Sequence, residues 1–214
     1  MTSSTGTTSA SVSSRASHSS FLILHGWQNH RPEGHWQRWL AGELTARGGR
    51  VAYPQLPAPD DPQLETWLGQ LHDLLAQEGE AGDGRERVIV CHSLAVLLWL
   101  HAVARGGVRA DRVLLVAPPS SEVLAGYEEV AGFAPPKVTA EQVAAAAGET
   151  RLVAADDDPY CPGGAAGEYG LPLGLDTDVV PGGAHLDLDA GYGPWPSVLD
   201  WCLDPRVRMT ARTP

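Results

Sequence analysis

Short apolar, β-branched runs alternate along this chain with longer stretches whose apolar positions recur every three or four residues. The run F-L-I-L at 21–24 reads as a first buried strand. Trp36, Trp39, Leu40 and Leu44 then recur at helical spacing across 36–47, and Gly48-Gly49 supplies the stop expected past a helix C-terminus. A second strand is predicted at 51–53, followed by a proline-rich loop at 54–62. Leu64, Trp67, Leu68, Leu71, Leu74 and Leu75 fall on one face of a helix over 64–77, which a polar loop at 79–84 closes. A strand at 88–90 runs directly into an apolar helix at 94–104. Further strands are predicted at 113–117, 151–155 and 177–180, with helices at 139–147 and 196–203.

Strands separated by helices imply right-handed βαβ crossovers. The predicted fold class is α/β, with a mostly parallel central sheet and helices on both faces. In such sheets ligands bind at the carboxyl ends of the strands, so chemistry is expected just after each one. The stretch 120–149 is too short and Ala-rich for a separate domain, which leaves a minimal lid. One domain is expected over 21–205. Residues 1–20 are almost entirely Ser, Thr, Ala and Gly and read as a disordered leader without the apolar stretch of a secretory signal. The basic end, 206–214, reads as a flexible solvated tail.

The stretch V-I-V-C-H-S-L-A-V at 88–96 carries the strongest chemical signal. A serine at a sharp strand-to-helix turn is the nucleophile elbow of an α/β-hydrolase. The strand end projects Ser93, and the helix N-terminus behind it offers free N–H groups for a developing oxyanion. The usual glycines of G-x-S-x-G are replaced by the small residues Cys91 and Ala95. A nucleophilic serine needs a base and an orienting acid. After the fifth strand comes D-D-D-P-Y-C-P, and after the sixth P-G-G-A-H, giving the order Ser93, Asp, His185 of that fold. Asp158 stands four residues before Pro162, the offset at which the acid of that turn usually lies, with Asp157 in reserve. The loop H-G-W-Q after the first strand is expected to complete an oxyanion hole from the backbone N–H groups of Trp27 and Leu94. Tyr160 and Gln28 are candidate substrate contacts.

Composition narrows the function classes. A net charge of -11 argues against nucleic acid and anionic membranes, both of which need a basic face. Three widely spaced cysteines fit a reduced, cytoplasmic protein. No run reaches membrane-spanning length. His25, His30 and His35 do not share a helix face, and Asp187-Leu-Asp189 lacks the ligands that complete a calcium loop, so no metal is expected. With no G-x-G-x-x-G or P-loop, no cofactor is expected either. Four of the seven tryptophans, at 36, 39, 67 and 99, occupy helical core positions, so packing explains them better than base stacking.

Four segments resemble the small serine hydrolase family of α/β-hydrolase fold that includes retinoblastoma-binding protein 9 and related bacterial hydrolases. They are L-I-L-H-G-W-Q-N-H-R-P-E-G-H-W-Q-R-W-L, V-I-V-C-H-S-L-A, D-D-D-P-Y-C-P and G-G-A-H-L-D-L-D-A-G-Y-G-P-W-P. The last is the most specific, because G-x-G-x-W-P after the base is a mark of that family. The likeness covers roughly 21–204. It implies a compact, nearly lidless domain with nucleophile Ser93, acid Asp158 and base His185, cleaving small ester bonds, and amide or thioester bonds as alternatives. Ala184 departs from the family's G-G-H. An acyltransferase or cyclase could use the same triad, and a binding module with vestigial activity could keep the fold. The expected partner is a small acyl compound, while the sequence leaves the oligomeric state open.

Overall fold

The computed structural model describes residues 15–80 and 84–212. Six strands form one sheet: β1 (Ser19–Leu24), β2 (Arg50–Ala52), β3 (Glu86–His92), β4 (Ala110–Val116), β5 (Ala147–Ala155) and β6 (Asp176–Val180). All neighbours are parallel, in the order β2-β1-β3-β4-β5-β6. The principal helices are α1 (Trp36–Ala46), α2 (Leu64–Glu80), α3 (Leu94–Arg105), α4 (Ala140–Ala146) and α5 (Pro196–Leu203). Thr139 caps α4 through a capping box with Gln142, which fixes where that helix begins.

The period of two along each strand divides the core. Leu22, Leu24, Ile89, Cys91, Val113, Leu115, Leu152 and Ala154 face one layer, built with α2, α3 and α4. Phe21, Ile23, Val88, Val90, Leu114, Val116, Val153 and Ala155 face the other, built with α1 and α5. A register slip of one residue would exchange these sets, so the pattern specifies the pairing strongly. The strand order reverses between β1 and β3, whose carboxyl ends deliver Gly26 and Ser93 side by side.

Both chain ends differ from expectation. β1 begins at Ser19, inside the stretch read as a leader, and Ala16 is fully buried. Ser19 Oγ donates to Arg15 O and to Glu86 Oε2, which ties the segment to β3. Composition missed this because small residues suit a close packing site as well as they suit a disordered chain. Residues 1–14 of the expected leader lie outside the described residues.

The basic tail is docked over 206–212. Arg208 pairs with Asp176 (2.5 Å) and Asp178 (2.6 Å), Met209 N donates to the Asp178 carboxylate, and the Met209 side chain is buried. Arg151, itself buried, donates to Val207 O. Thr210 O accepts from Trp195 Nε1 and Ser197 Oγ. Acidic positions of β6 thus hold Arg208 of the tail. Residues 213–214 lie outside the described residues.

Asp178→Ala tests that docking. It leaves Arg151 with Glu149 and Asp176 only. The expected loss is about 3 kcal/mol, the low end for breaking a buried pair. Calorimetry should then show a Tm lower by about 6–12 °C. An unchanged Tm would mean that the tail contributes nothing to folding.

Candidate active site

Ser93 sits between β3 and α3 with φ 55° and ψ -124°. Such angles are strained for a residue with a Cβ, and the surroundings must hold them. Ser93 N donates to Val116 O of the neighbouring strand (2.9 Å), and Ser93 O accepts from Val96 N (2.9 Å), the first bond of the helix. Gly26 makes room: a Cβ there would stand 2.7 Å from Ser93 Cβ. Cys91 and Ala95 take the elbow's glycine positions without cavity or exposure, since both are fully buried in the α3-side core. Burial also pushes the Cys91 thiol up, so it is no competing nucleophile.

His185 Nε2 lies 2.8 Å from Ser93 Oγ. On its other side Nδ1–H reaches both oxygens of Asp158, at 3.0 Å each. His185 and Asp158 are both buried. Asp158 Oδ1 also accepts from Tyr160 N (2.8 Å), which sets the carboxylate plane. The three aspartates do different things: Asp156 accepts from Gly182 N and Asp157 from Ala184 N, both at 2.8 Å. Only Asp158, the aspartate singled out by its offset from Pro162, meets the imidazole.

The H-G-W-Q loop follows β1. Its His25 is fully buried, donates from Nδ1 to Gly26 O (2.8 Å) and accepts at Nε2 from Leu56 N (2.8 Å) and Gln55 Nε2 (2.9 Å). That pins this loop to the proline-rich one. Gln28 N is committed to Pro59 O (2.8 Å). Among the described residues the backbone N–H groups of Trp27 and Leu94 have no protein partner, and both residues line the cavity beside Ser93.

That cavity holds about 380 Å³. Gln28 and Tyr160, the expected substrate contacts, line it, with the Tyr160 ring tilted at 51° and 4.4 Å from the His185 ring. Sequence reasoning missed the wall made by Val123, Leu124 and Tyr127. Val123 and Leu124 come from a helical turn, Ser121–Leu124, and Tyr127 from just after it, in the stretch expected to form only a minimal lid. Tyr127 packs edge-on against Trp27 at 5.0 Å. Asp187, Leu188 and Asp189 form the opposite rim. Sequence reasoning did not name these three, although their place two to four residues after His185 in the most specific motif was a signal for them.

A layer of histidines lies beneath the cavity. Burial lowers His25 and His35 to about 4, and holds His92 well below the ordinary histidine range. Above the ordinary value near 6.5, folded and unfolded chains are both neutral at these sites. Between about 6.5 and about 4 only the unfolded chain takes up the protons, so stability falls as pH falls through that window. His25 and His35 should each account for on the order of 2–3 kcal/mol by linkage. The expected result is a steep drop in Tm between pH 6.5 and 4, which His35→Gln reduces. A flat Tm over that interval would contradict the buried neutral histidines.

The parallel sheet, the strained elbow and the Ser93–His185–Asp158 chain together define an α/β-hydrolase. Residues 21–203 match the family model described as serine hydrolase, and the chain belongs to that family. No curated protein matches it. Among solved structures it is similar to the ydeN gene product from B. subtilis, at 22% identity and TM-score 0.70, over 85% of this chain and 95% of that one. A YdeN-like hydrolase from Pectobacterium atrosepticum aligns at 19% identity and TM-score 0.65, over 90% of this chain and 94% of that one. A hydrolase of the α/β superfamily from Xanthomonas campestris aligns at 15% and TM-score 0.55, over 86% and 95%. At these identities the likeness is one of fold. No helix among the described residues is long and apolar enough to cross a membrane.

Proposed function

We propose that the protein hydrolyses compact carboxylic esters through an acyl-enzyme on Ser93. The observation that carries this reading is the unbroken hydrogen-bonded chain from Ser93 Oγ through His185 to Asp158. Ser93 Oγ attacks the acyl carbonyl as His185 Nε2 takes its proton. His185 then gives that proton to the leaving alkoxide, and the alcohol departs. Asp158 keeps the remaining ring proton on Nδ1 and stabilises the imidazolium. The free N–H groups of Trp27 and Leu94 receive the oxyanion, each worth on the order of 10²–10³ in rate. Water, deprotonated by His185, releases the acid and restores the serine. Labelling by a fluorophosphonate tests the reading: the probe should attach to Ser93, and an intact protein that resists it would overturn the proposal.

The cavity sets the substrate class. Its volume, about 380 Å³, lies at the small end for ligand sites. Trp27, Tyr127, Leu124 and Leu188 supply apolar walls for a short acyl or aromatic group, with Tyr160 and Gln28 as polar-tipped contacts. Asp187 and Asp189 are the lining residues with fixed charge, and neither forms an ion pair among the described residues. An acyl group bearing a carboxylate should therefore be repelled. In a series of p-nitrophenyl esters, kcat/KM should peak at short acyl chains, and a glutarate half-ester should fall below its neutral counterpart of equal length. A steady rise through the longest chains would refute the compact pocket.

A further inference from the structure

We propose that Asp156 and Asp157 are positioning residues for His185, forming with Asp158 a single device that holds both the base and its loop. The inference rests on the triad reading above and extends it to two groups that touch neither substrate nor serine.

His185 stands in an improbable piece of backbone. Its two neighbours, Ala184 (φ 45°) and Leu186 (φ 52°), both take left-handed angles, and neither is glycine. Such angles are rare for residues with a Cβ and persist only where the surroundings impose them. Gly183 is packed closely, since a Cβ there would stand 2.6 Å from the Leu186 side chain and 3.1 Å from Ala155 Cβ. The loop has no regular secondary structure of its own.

Four side chains impose the conformation, each on a backbone group of this loop. Asp156 accepts from Gly182 N and Asp157 from Ala184 N, both at 2.8 Å. On the other flank, buried His92 donates from Nε2 to His185 O at 3.0 Å, and Trp36 Nε1 donates to Leu186 O at 2.8 Å. His92 and Trp36 come from the elbow strand and from α1, so they fix the loop to the nucleophile side. Asp156 and Asp157 come from the acid turn and fix the same loop to Asp158. The distance between base and acid is thus set twice, once by the imidazole bond and once by the backbone bonds. This also accounts for Ala184 where the resembled family has glycine-histidine directly: a strained alanine is tolerated when its N–H is held by Asp157.

A backbone N–H needs an acceptor, and an amide oxygen can take the place of a carboxylate, though it holds the proton less strongly. That separates this role from one of charge. Neither Asp156 nor Asp157 lines the cavity, so their loss should leave KM alone. Asp157→Ala should lower kcat about tenfold, the scale of one lost charge-assisted hydrogen bond, and the double alanine variant further. Asp157→Asn should restore most of the rate. A role in folding alone would lower Tm and leave kcat per folded molecule unchanged.

The second readout does not depend on catalysis. The His185 Nδ1 proton, held between two carboxylate oxygens, should give a strongly downfield proton resonance that Asp158→Asn abolishes. It should broaden or vanish in the double alanine variant and persist in the double asparagine variant. If both the resonance and kcat survive in the alanine variants, the inference is wrong. Should the wild type resist the fluorophosphonate, the triad reading falls, while the resonance still decides whether Asp156 and Asp157 hold the loop.

Discussion

Replacing Ser93 by alanine should lower ester hydrolysis by about 10⁵–10⁶-fold, the scale seen when a triad serine is removed. The variant loses the single atom at which the hydrogen-bonded chain ends, the Oγ 2.8 Å from His185 Nε2. The fold should survive. Alanine has the same Cβ at φ 55° as serine, the elbow's hold on Val116 O is a backbone bond, and no side-chain cap is lost from α3. No thiol can take over, because Cys91, Cys161 and Cys202 are buried and their acidity is suppressed, Cys161 and Cys202 being pushed up to about 12. The check is kcat/KM for a short p-nitrophenyl ester, with fluorophosphonate labelling and Tm measured on the same preparation. Residual activity above about one per cent, with an unchanged Tm, would remove Ser93 from the reaction.

Asp158→Asn should cost about 10⁴ in kcat, the loss typical when the orienting acid of a triad becomes an amide. The carboxylate accepts from the Nδ1–H of His185 through both oxygens and from Tyr160 N through one of them. Asparagine can keep the Tyr160 bond with its oxygen, which turns its NH2 group toward the ring. The imidazole then carries its proton on Nε2 and cannot accept one from Ser93. The negative charge that would stabilise the imidazolium is lost as well. At 156 and 157 the same substitution keeps an acceptor for Gly182 N and Ala184 N, so kcat should stay within about threefold of wild type. Comparable losses at all three positions would mean that the aspartates act through their summed charge and not through separate geometry.

The fold was legible because each strand is short, β-branched and followed at once by a helical spacing. All six predicted strands are present, within about two residues at most ends, and the β5 strand starts earlier, at Ala147. The 139–147 stretch was read as helix to its end because its alanines favour one. Its last alanine instead pairs with Ala110 in the sheet, a tertiary demand that outweighs propensity. The chain ends were misread for a related reason. Composition reports what a segment can bury on its own, and the partners of Ala16 and of Met209 lie far away in sequence. Ser93, Asp158 and His185, which the structure brings into one hydrogen-bonded chain, were readable as candidates because each follows a strand, where the fold class puts ligand sites. The wall made by Val123, Leu124 and Tyr127 was not, since it depends on how one irregular segment folds back over Trp27.

The sequence by itself therefore determined the alternation of strands and helices, the two-faced core and the order serine, acid, histidine. These follow from local periodicity and from the chemistry of a few side chains at strand ends. Only the tertiary structure decided the strand order, which brings the ends of β1 and β3 together at the reversal point. It also decided how Asp156 and Asp157 grip the loop, because hydrogen bonds between segments 26 or 27 residues apart leave no local trace in sequence. The size and sign of the cavity belong to the same category. They arise from side chains of several separate loops, and each loop takes its position from the sheet beneath it.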